Sequence, residues 1–392
     1  MINIISYILI TSGVILLIYN YFIMPKNKNY PHKKNIGDKY CILIPARDES
    51  NVIERLLISI EKQTRKINSH DVYIIVENKN DKTVEIVNNH NMNIVFRKDL
   101  SKEAKGYALN DAVKEILNKN THYDAYFIFD ADNILDKNFI KEMEKTINEG
   151  YDTAIGYRNT ENSNTLISAA SSLTFSMINT LFNSRKNKYT NNLTISGTGY
   201  YISGYLLEKW QGFPFHELTE DYELTLYSTL NDLTCFYNKK AIFYDEQPNN
   251  LKKSIIQRTR WVKGYLDSRK KFVKKIKQSI TKNDKNFASK TNEVIGIKPY
   301  LLIIFGLILF IINSSSINIF LLKLIIALLI IYIILLIFTY IMIKKEKNLN
   351  MTNKMKIKVL FYNPIFLASY LWCLIKALTT KNLKWKKIKH GD

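Results

Sequence analysis

Cysteine is scarce in this sequence, with three residues, Cys41, Cys235 and Cys373, among 392. They show no paired spacing and no histidine partners, which argues against a disulfide framework and a zinc site and indicates a reducing cytosol.

Acidic residues are also fewer than basic ones, 35 against 56, so the formal net charge is +21. The basic residues cluster beside apolar runs, which is typical of anchoring at an anionic membrane surface. The composition therefore predicts membrane lipids as partners and no nucleic-acid partner.

Long apolar runs occur near both ends of the chain. Residues 2–24 are uncharged and long enough to span a bilayer, and they lack the basic start and cleavage site of a secretory signal. We therefore predict an N-terminal transmembrane anchor at residues 1–25. Two apolar arms broken by "NSSSIN" predict a transmembrane hairpin at residues 297–343. Residues 359–378 are apolar but contain an Asn-Pro pair and a lysine, so residues 357–392 are predicted to be an interfacial or transmembrane segment with a basic tail.

Lysine-rich flanks predict the orientation of these segments. They lie at residues 26–34 and 344–357, and positive flanks favour the cytoplasmic side of a membrane. We therefore expect an integral protein of the cell membrane whose soluble domain and basic tail lie in the cytoplasm.

Residues 39–250 alternate short apolar runs with amphipathic helical runs. The predicted strands read "YCILIPA", "VYIIVEN", "NIVFR" and "AYFIFDAD" in chain order. Strand–helix alternation of this kind predicts a doubly wound α/β sheet, in which the ligand binds at the carboxyl ends of the strands.

Polar clusters follow these strands or begin helices. "PARDES" at 45–50 follows the first strand, "ENKND" at 77–81 follows the second, and "LTEDYEL" at 218–224 contains a helix start. Each alone is compatible with a turn or a helix cap. Asp130 and Asp132 end the fourth strand and are either two solvated aspartates in a turn or a cation site, because carboxylates at i and i+2 lie on one side of an extended chain.

A basic helix follows the sheet domain, in the region 251–296. Its "IIQRTRWVKGYL" segment places Gln257, Arg260 and Trp261 on one helix face. Arginine offers a fork for a diphosphate, and tryptophan offers a flat face for a sugar ring. The alternative is a basic amphipathic helix that lies on the membrane without a catalytic role.

Together, and in this order, these segments resemble the membrane-bound family-two glycosyltransferases, the group that holds cellulose, hyaluronan and poly-N-acetylglucosamine synthases. The family pattern is an acid after strand two, D-x-D after strand four, a T/E-E-D segment and a Q-x-x-R-W helix. Its counterparts here are Glu77 (or Asp81), Asp130-Ala131-Asp132, Thr219-Glu220-Asp221 and Gln257-Arg258-Thr259-Arg260-Trp261. "SGTGYYIS" at 196–203 resembles the acceptor loop of the family, and "KNLKWKK" resembles its basic K-x-x-x-W tail. The resemblance extends from Cys41 to Trp385.

The resemblance implies a GT-A type, Rossmann-like doubly wound sheet domain at residues 39–250, with transmembrane helices on both sides of it. It implies a nucleotide-diphosphate sugar, most often UDP-linked, and Mg²⁺ or Mn²⁺ held by Asp130 and Asp132. The residues expected at the nucleotide sugar are Pro45, Arg47, Glu49, Glu77, Lys105, Asp130 and Arg260. The family usually has Asp where this chain has Glu77, which reaches one methylene further.

The resemblance also implies the acceptor side and the catalytic base. Gly197, Thr198, Gln257 and Trp261 are expected at the acceptor. Asp221 is expected to take the proton of the incoming hydroxyl, with Glu220 beside it, in a single displacement that inverts the anomeric centre.

Two acceptors are compatible with these motifs. The first is a growing β-linked polysaccharide that receives a hexose or N-acetylhexosamine, and the second is a membrane lipid that receives one sugar, as in ceramide glucosyltransferases. Three or four membrane segments are few for a translocation channel, so a polysaccharide synthase would need a homo-oligomer or an export partner. A catalytically silent scaffold subunit is disfavoured by the intact acidic and Q-x-x-R-W residues, and a nucleotidyltransferase has no use for the tryptophan-bearing helix.

Overall fold

The computed structural model describes residues 2–20, 30–31, 37–191, 193–281, 284 and 286–380. The basic flank predicted at 26–34 falls outside the described residues except for 30 and 31, and the basic tail from residue 381 falls outside them entirely. The expectations for these two segments stay predictions.

One eight-stranded sheet organises the soluble part of the protein. Its strands are β1 (Tyr40–Pro45), β2 (Val72–Val76), β3 (Asn93–Phe96), β4 (Ala125–Ile128), β5 (Ile134–Leu135), β6 (Thr153–Thr160), β7 (Tyr200–Ser203) and β8 (Cys235–Asp245). Their spatial order is β3-β2-β1-β4-β7-β6-β8-β5. The first four strands are parallel, which confirms the predicted α/β sheet.

Helices cover both faces of the parallel half of the sheet. The helices of the soluble part are α2 (Ile53–Glu61), α3 (Thr83–Asn89), α4 (Lys105–Asn118), α5 (Phe139–Asn148), α6 (Leu166–Met177), a π-helix (Ile178–Asn183), α7 (Ser184–Lys186), α8 (Gly204–Trp210) and α9 (Glu220–Leu230). Side chains of β1 alternate between two cores: Ile42 packs with the core that includes α2, and Leu43 with the core that includes α4. Burial on both faces explains why these strands are continuous apolar runs in the sequence.

The second half of the sheet is mixed rather than parallel. β7 pairs antiparallel with both β4 and β6, whereas β6 and β8 run parallel to each other. Asp245 is the last residue of β8. β8 pairs along the full length of β6, so Asp245 lies opposite Thr160 at the end of β6 although the two residues are far apart in the sequence.

A long helix and a group of apolar helices complete the described chain. They are α10 (Leu251–Ser279), α11 (Phe287–Ile295), α12 (Lys298–Ile312), α13 (Ile317–Lys345), α14 (Asn353–Ala368) and α15 (Tyr370–Thr379), together with α1 (Ile2–Ile18) before the sheet. Three helical stretches are long and apolar enough to cross a membrane, Phe287–Ile312, Ile317–Lys345 and Asn353–Thr379, whereas α1 is apolar but shorter. These helices indicate membrane association.

Small residues allow α1 and α12 to pack closely. A Cβ at Gly13 would lie 2.7 Å from the carbonyl oxygen of Pro299, and a Cβ at Gly306 would lie 3.0 Å from that of Ser6. Close approach through glycine is a common way for helices to associate in lipid, where apolar burial between helices gains little.

Arg258 connects α10 to the break between α14 and α15. Its side chain is 1% exposed, and its Nη1 donates to the carbonyl oxygen of Phe366 at 3.2 Å and to the hydroxyl of Ser369 at 2.7 Å. The guanidinium also lies over the rings of Phe366 and Tyr370, 4.0 Å and 4.8 Å from their centroids. Charge-assisted hydrogen bonds and cation–π contacts therefore hold α10 against the apolar helices.

We predict that Arg258→Met will destabilise the protein. The change removes these hydrogen bonds but keeps most of the side-chain volume, and it should lower the free energy of unfolding by about 2–4 kcal/mol. Thermal unfolding in detergent, followed by tryptophan fluorescence, measures this loss. Lys252→Met, at an exposed position on α10, is the matched control. Equal midpoints for the two variants would contradict the role assigned to Arg258.

Candidate active site

A buried threonine, Thr198, stabilises the backbone of the D-x-D turn. The backbone N–H of Asp130 donates to the hydroxyl oxygen of Thr198 at 2.9 Å and to Oδ1 of Asn133 at 3.2 Å. Thr198 itself donates to Asn133 and is 0% exposed. Thr198 was expected at the acceptor, but the structure buries it under the turn, where it positions Asp130.

A cavity of about 700 Å³ lies above this turn, at the carboxyl edge of the sheet. The structure brings to its wall all the predicted site residues except Thr198. These are Pro45, Arg47, Glu49, Glu77, Lys105, Asp130, Asp132, Gly197, Glu220, Asp221, Gln257, Arg260 and Trp261. Because these residues come from seven separate segments of the chain, the sheet edge assembles a site that no single motif contains.

The loops after β1 and β2 meet at one end of the cavity. Nε of Arg47 lies 2.9 Å from a carboxylate oxygen of Glu77, and both side chains line the cavity. Asp81 is instead buried in a turn, where its carboxylate accepts the N–H groups of Asp48 and Thr83, each at 2.8 Å. Of the two acids that the sequence left open, Glu77 is therefore the one that a ligand in the cavity can contact.

Lys105 places a positive charge among the acidic residues. Its ammonium donates to Asp130 at 2.5 Å and to the carbonyl oxygen of Gly197 at 2.6 Å, and it lies 3.6 Å from Glu220. Burial alone would lower the pKa of Lys105, but the charges of Asp130 and Glu220 outweigh burial and raise it. The lysine therefore stays charged and compensates the carboxylates around it.

Glu220 and Asp221 open helix α9, directly after Thr219. Burial, with the neighbouring charges of Asp221 and Asp130 added to it, raises the pKa of Glu220 to about 7, although Lys105 opposes this shift. The pKa of Asp221 is also raised, chiefly by burial. Gly197 faces Asp221 with φ +83°, and a Cβ there would lie 3.7 Å from the aspartate oxygen. A backbone without a side chain thus leaves space in front of Asp221.

Arg260 projects from α10 into the same space. Its Nε is buried and has no hydrogen-bond partner among the described residues. Burial lowers the pKa of its guanidinium, while Glu220, Asp130 and Asp221 raise it. A buried donor without an acceptor is costly, about 1–3 kcal/mol, unless a ligand supplies the acceptor. The arrangement is suited to an anionic ligand.

The structure adds a pair of site residues that the sequence analysis missed. Nε of Arg158, on β6, lies 2.9 Å from Asp245, and its Nη1 donates to the carbonyl oxygen of Ser196 at 2.6 Å. Both side chains line the cavity, and one carboxylate oxygen of Asp245 has no hydrogen-bond partner among the described residues. The sequence held a signal for Asp245, because it ends the apolar run "AIFYD", much as Asp130 lies two residues beyond the end of β4.

The carboxylates at the D-x-D turn fit a divalent cation that takes its remaining ligands from a substrate. Burial and the charges of Asp130 and Asp245 raise the pKa of Asp132 well above its usual range. No group of three His, Cys, Asp or Glu side chains forms a metal cluster within the part of the chain that the structure describes. Mg²⁺ and Mn²⁺ sites commonly use one or two carboxylates together with phosphate oxygens and water, so this donor set suits them.

The far half of the cavity is apolar. We call it the membrane arm and define it by Tyr300, Leu301, Ile304, Leu367, Leu371 and Leu374. The first three residues lie on α12, and the other three lie on α14 and α15. α10 contributes Arg260, Trp261 and Leu266 to the wall of the same cavity. The cavity therefore joins a charged site to the apolar helices.

Three comparisons connect this geometry to known proteins. Over 280 residues the chain is 25% identical to a probable glycosyltransferase, YdaM, of Bacillus subtilis (strain 168), and the match covers 64% of this chain and 63% of YdaM. The fold is similar to that of the mannosyltransferase PcManGT from Pyrobaculum calidifontis, solved with GDP-Man and Mn²⁺, with a TM-score of 0.60, 13% identity and coverage of 97% of this chain and 100% of that one.

The third comparison concerns the family. Residues 38–264, which carry the sheet, the D-x-D turn and the Q-x-x-R-W helix, match the family described as glycosyltransferase like family 2. This match covers more than half of the chain, and the chain therefore belongs to glycosyltransferase-like family 2.

Proposed function

We propose that the protein transfers a hexose or N-acetylhexosamine from a nucleotide-diphosphate sugar, with UDP as the expected nucleotide, to an acceptor hydroxyl at the membrane. The observation that carries this proposal is the meeting of three chemistries in one cavity: the D-x-D carboxylates, the unsatisfied Nε of Arg260 and the acidic start of α9. Membership of a glycosyltransferase family supports the same conclusion.

The donor occupies the polar half of the cavity in this proposal. Its nucleoside lies at the end formed by Arg47 and Glu77, and its diphosphate lies near Arg260. The guanidinium then gains the acceptor that it lacks in the structure and stabilises the negative charge that develops on the departing nucleotide.

A divalent cation, Mg²⁺ or Mn²⁺, belongs to this proposal as a cofactor. Asp132 and Asp130 would hold it, and when bound it supplies electrostatic stabilisation of the diphosphate. Asp130 already contacts Lys105 at 2.5 Å, so this lysine balances the charge of the turn and is expected to remain close to the diphosphate.

Asp221 is the proposed general base. Glu220 lies 3.6 Å from Lys105, is 5% exposed and has a pKa of about 7, so a large share of it is protonated near neutral pH. Asp221 is more exposed and faces the open space at Gly197. A hydroxyl that approaches there can give its proton to Asp221 while it attacks the anomeric carbon, which inverts that centre.

The membrane helices provide the setting of the reaction. The lysine-rich flank at 344–357 supports a cytoplasmic sheet domain in a protein of the cell membrane. A growing β-linked polysaccharide and a membrane lipid are the two acceptor classes. The choice between them depends on the apolar half of the cavity.

We predict that Asp132→Asn will abolish sugar transfer and weaken donor binding that depends on Mg²⁺ or Mn²⁺. The change removes a negative charge from the ion's ligands. Transfer of radiolabelled sugar and donor affinity, measured with and without a chelator, provide the test. Asp38→Asn, at a highly exposed side chain, is the control. Full transfer by the Asp132 variant, or in excess chelator, would remove the metal from the mechanism.

We predict that Asp221→Asn will bind the donor normally and lose about 10²–10⁴-fold in transfer rate, since it is nearly isosteric but cannot accept the proton. If Asp221 served only the helix start, its loss would cost about 0.5–2 kcal/mol of stability and little activity. Initial rates and donor affinity are measured in one detergent preparation. Glu220→Gln should be milder, and the reverse ranking of the two variants would make Glu220 the base.

We predict that Glu220 makes the protein less stable as pH rises from about 5 to about 7.5. Its folded pKa of about 7 exceeds the ordinary value of 4.5, so the folded state retains the proton to higher pH than the unfolded state does. The resulting stabilisation is complete below the unfolded pKa and is lost as pH rises through 7, a change of up to about 3 kcal/mol.

Unfolding midpoints across this pH range, without donor and with a chelator, measure the effect for the natural protein and for Glu220→Gln. The glutamine variant should show a flatter profile. Parallel profiles for the two proteins would show that Glu220 ionises in the folded state as it does in water.

A further inference from the structure

The membrane arm opens onto the surface of the apolar helices. Leu301 and Leu371 line the cavity and yet are 44% and 49% exposed. They lie on α12 and α15 respectively, and neighbouring residues on the outer faces of these helices are also apolar and exposed, for example Phe305 and Ile375. Residues of the arm are therefore also part of an exposed apolar surface, of the kind that faces lipid.

The arm is continuous with the catalytic centre. Leu266 and Trp261, one turn and a half apart on α10, line the same cavity as Asp221. A molecule that enters beside Leu301 and Leu371 thus reaches Asp221 without leaving the cavity. The path begins among aliphatic side chains and ends among charged ones.

This polarity gradient identifies the chemistry of the occupant. A glycan carries hydroxyl groups along its whole length, and burying them against leucine and isoleucine without hydrogen-bond partners is unfavourable. A hydrocarbon chain has no such requirement. An amphiphile with a hydroxylated head and a hydrocarbon tail matches both ends of the cavity.

We propose that the membrane arm binds the hydrocarbon chain of a membrane lipid, which enters sideways between α12 and α15 and presents its headgroup hydroxyl to Asp221. This inference rests on the proposed glycosyl transfer. The lipid oxygen forms a bond to the anomeric carbon while the bond from that carbon to the diphosphate breaks. The electron pair leaves with the nucleoside diphosphate, and the proton of the hydroxyl passes to Asp221.

The first experiment fills the arm. Leu374→Trp places a larger side chain in the arm, whereas Ile375→Trp makes the same change at the next residue, which is exposed and does not line the cavity. Both full-length variants are reconstituted in phosphatidylethanolamine–phosphatidylglycerol vesicles that contain diacylglycerol. We expect Leu374→Trp to lower the sugar recovered in lipid-extractable product about tenfold and Ile375→Trp to leave it unchanged.

Two further measurements, donor affinity and the slow hydrolysis of the donor by water, distinguish a failure of the lipid acceptor from a failure of the proposed glycosyl transfer. Both should be unchanged in Leu374→Trp, which also shows that the variant is folded. A natural protein that neither binds nor hydrolyses any nucleotide-diphosphate sugar overturns the proposed function. Donor turnover that yields only water-soluble glycan, unaffected by Leu374→Trp, overturns the lipid acceptor and favours the polysaccharide.

The second experiment detects the chain directly. The same vesicles carry a diacylglycerol with a diazirine in one acyl chain, and the labelled peptides are mapped after irradiation. We expect label on the α10 segment that contains Leu266, and we expect Leu374→Trp to suppress it while Ile375→Trp does not. Label confined to the outer faces of α12 and α15 in the natural protein would show that no chain enters, and the inference would fail.

Discussion

Compensation of charge at one edge of the sheet is the constraint on which this structure depends. Nine carboxylates line the cavity, and those of Asp130, Asp132, Glu220, Asp221 and Asp245 are among them. Burial disfavours their charged forms and repulsion between neighbouring carboxylates adds to this cost, so the pKa values of Asp132, Glu220 and Asp221 are raised. Cationic side chains from three different elements, Lys105, Arg158 and Arg260, offset the cost.

These cations also define the local backbone. Lys105 ties the start of α4 to the carbonyl oxygen of Gly197, and Arg158 ties β6 to that of Ser196. The loop before β7 is therefore held from two sides by residues whose charges belong to the site. The charge balance of the site and the geometry of this loop are two results of the same contacts.

The sequence predicted the parallel half of the sheet because each of its strands is a short, continuous apolar run that is followed by polar residues. It also predicted the polar residues of the cavity wall that follow β1, β2 and β4, since residues that follow parallel strands must meet at one edge. The pairing of Arg158 with Asp245 escaped prediction because the two residues are 87 positions apart in the chain, and no local pattern encodes a contact over that distance. The burial of Thr198, which was expected at the acceptor, escaped prediction because a motif identifies a loop but not the direction in which each side chain points. Whether the acid after β2 is Glu77 or Asp81 likewise depends on where the strand stops.

α10 unites the two halves of the molecule. One of its faces carries Arg260 and Trp261 into the cavity, and another carries Arg258 to the apolar helices. The membrane arm beside α10 affects the free-energy cost of moving a hydrocarbon chain out of the bilayer. Drawing a chain of six methylenes from a bilayer into water costs about 5 kcal/mol, whereas moving it into an apolar cavity costs little of this. A protein that shelters the chain can bring a lipid headgroup to a polar site without meeting that cost.

The packing of α1 on α12 has a consequence for the order in which the protein is made. Gly13 meets α12 at Pro299 and Ile303, about 290 residues later in the chain, so a ribosome that adds about 5–20 residues per second needs some 15–60 s between them. The contacts between α1 and α12 form only after that interval, whereas the one buried hydroxyl of α1, that of Ser6, donates within the helix to the carbonyl oxygen of Ile2 at 2.9 Å. The sheet domain is therefore synthesised before α1 can pack on α12.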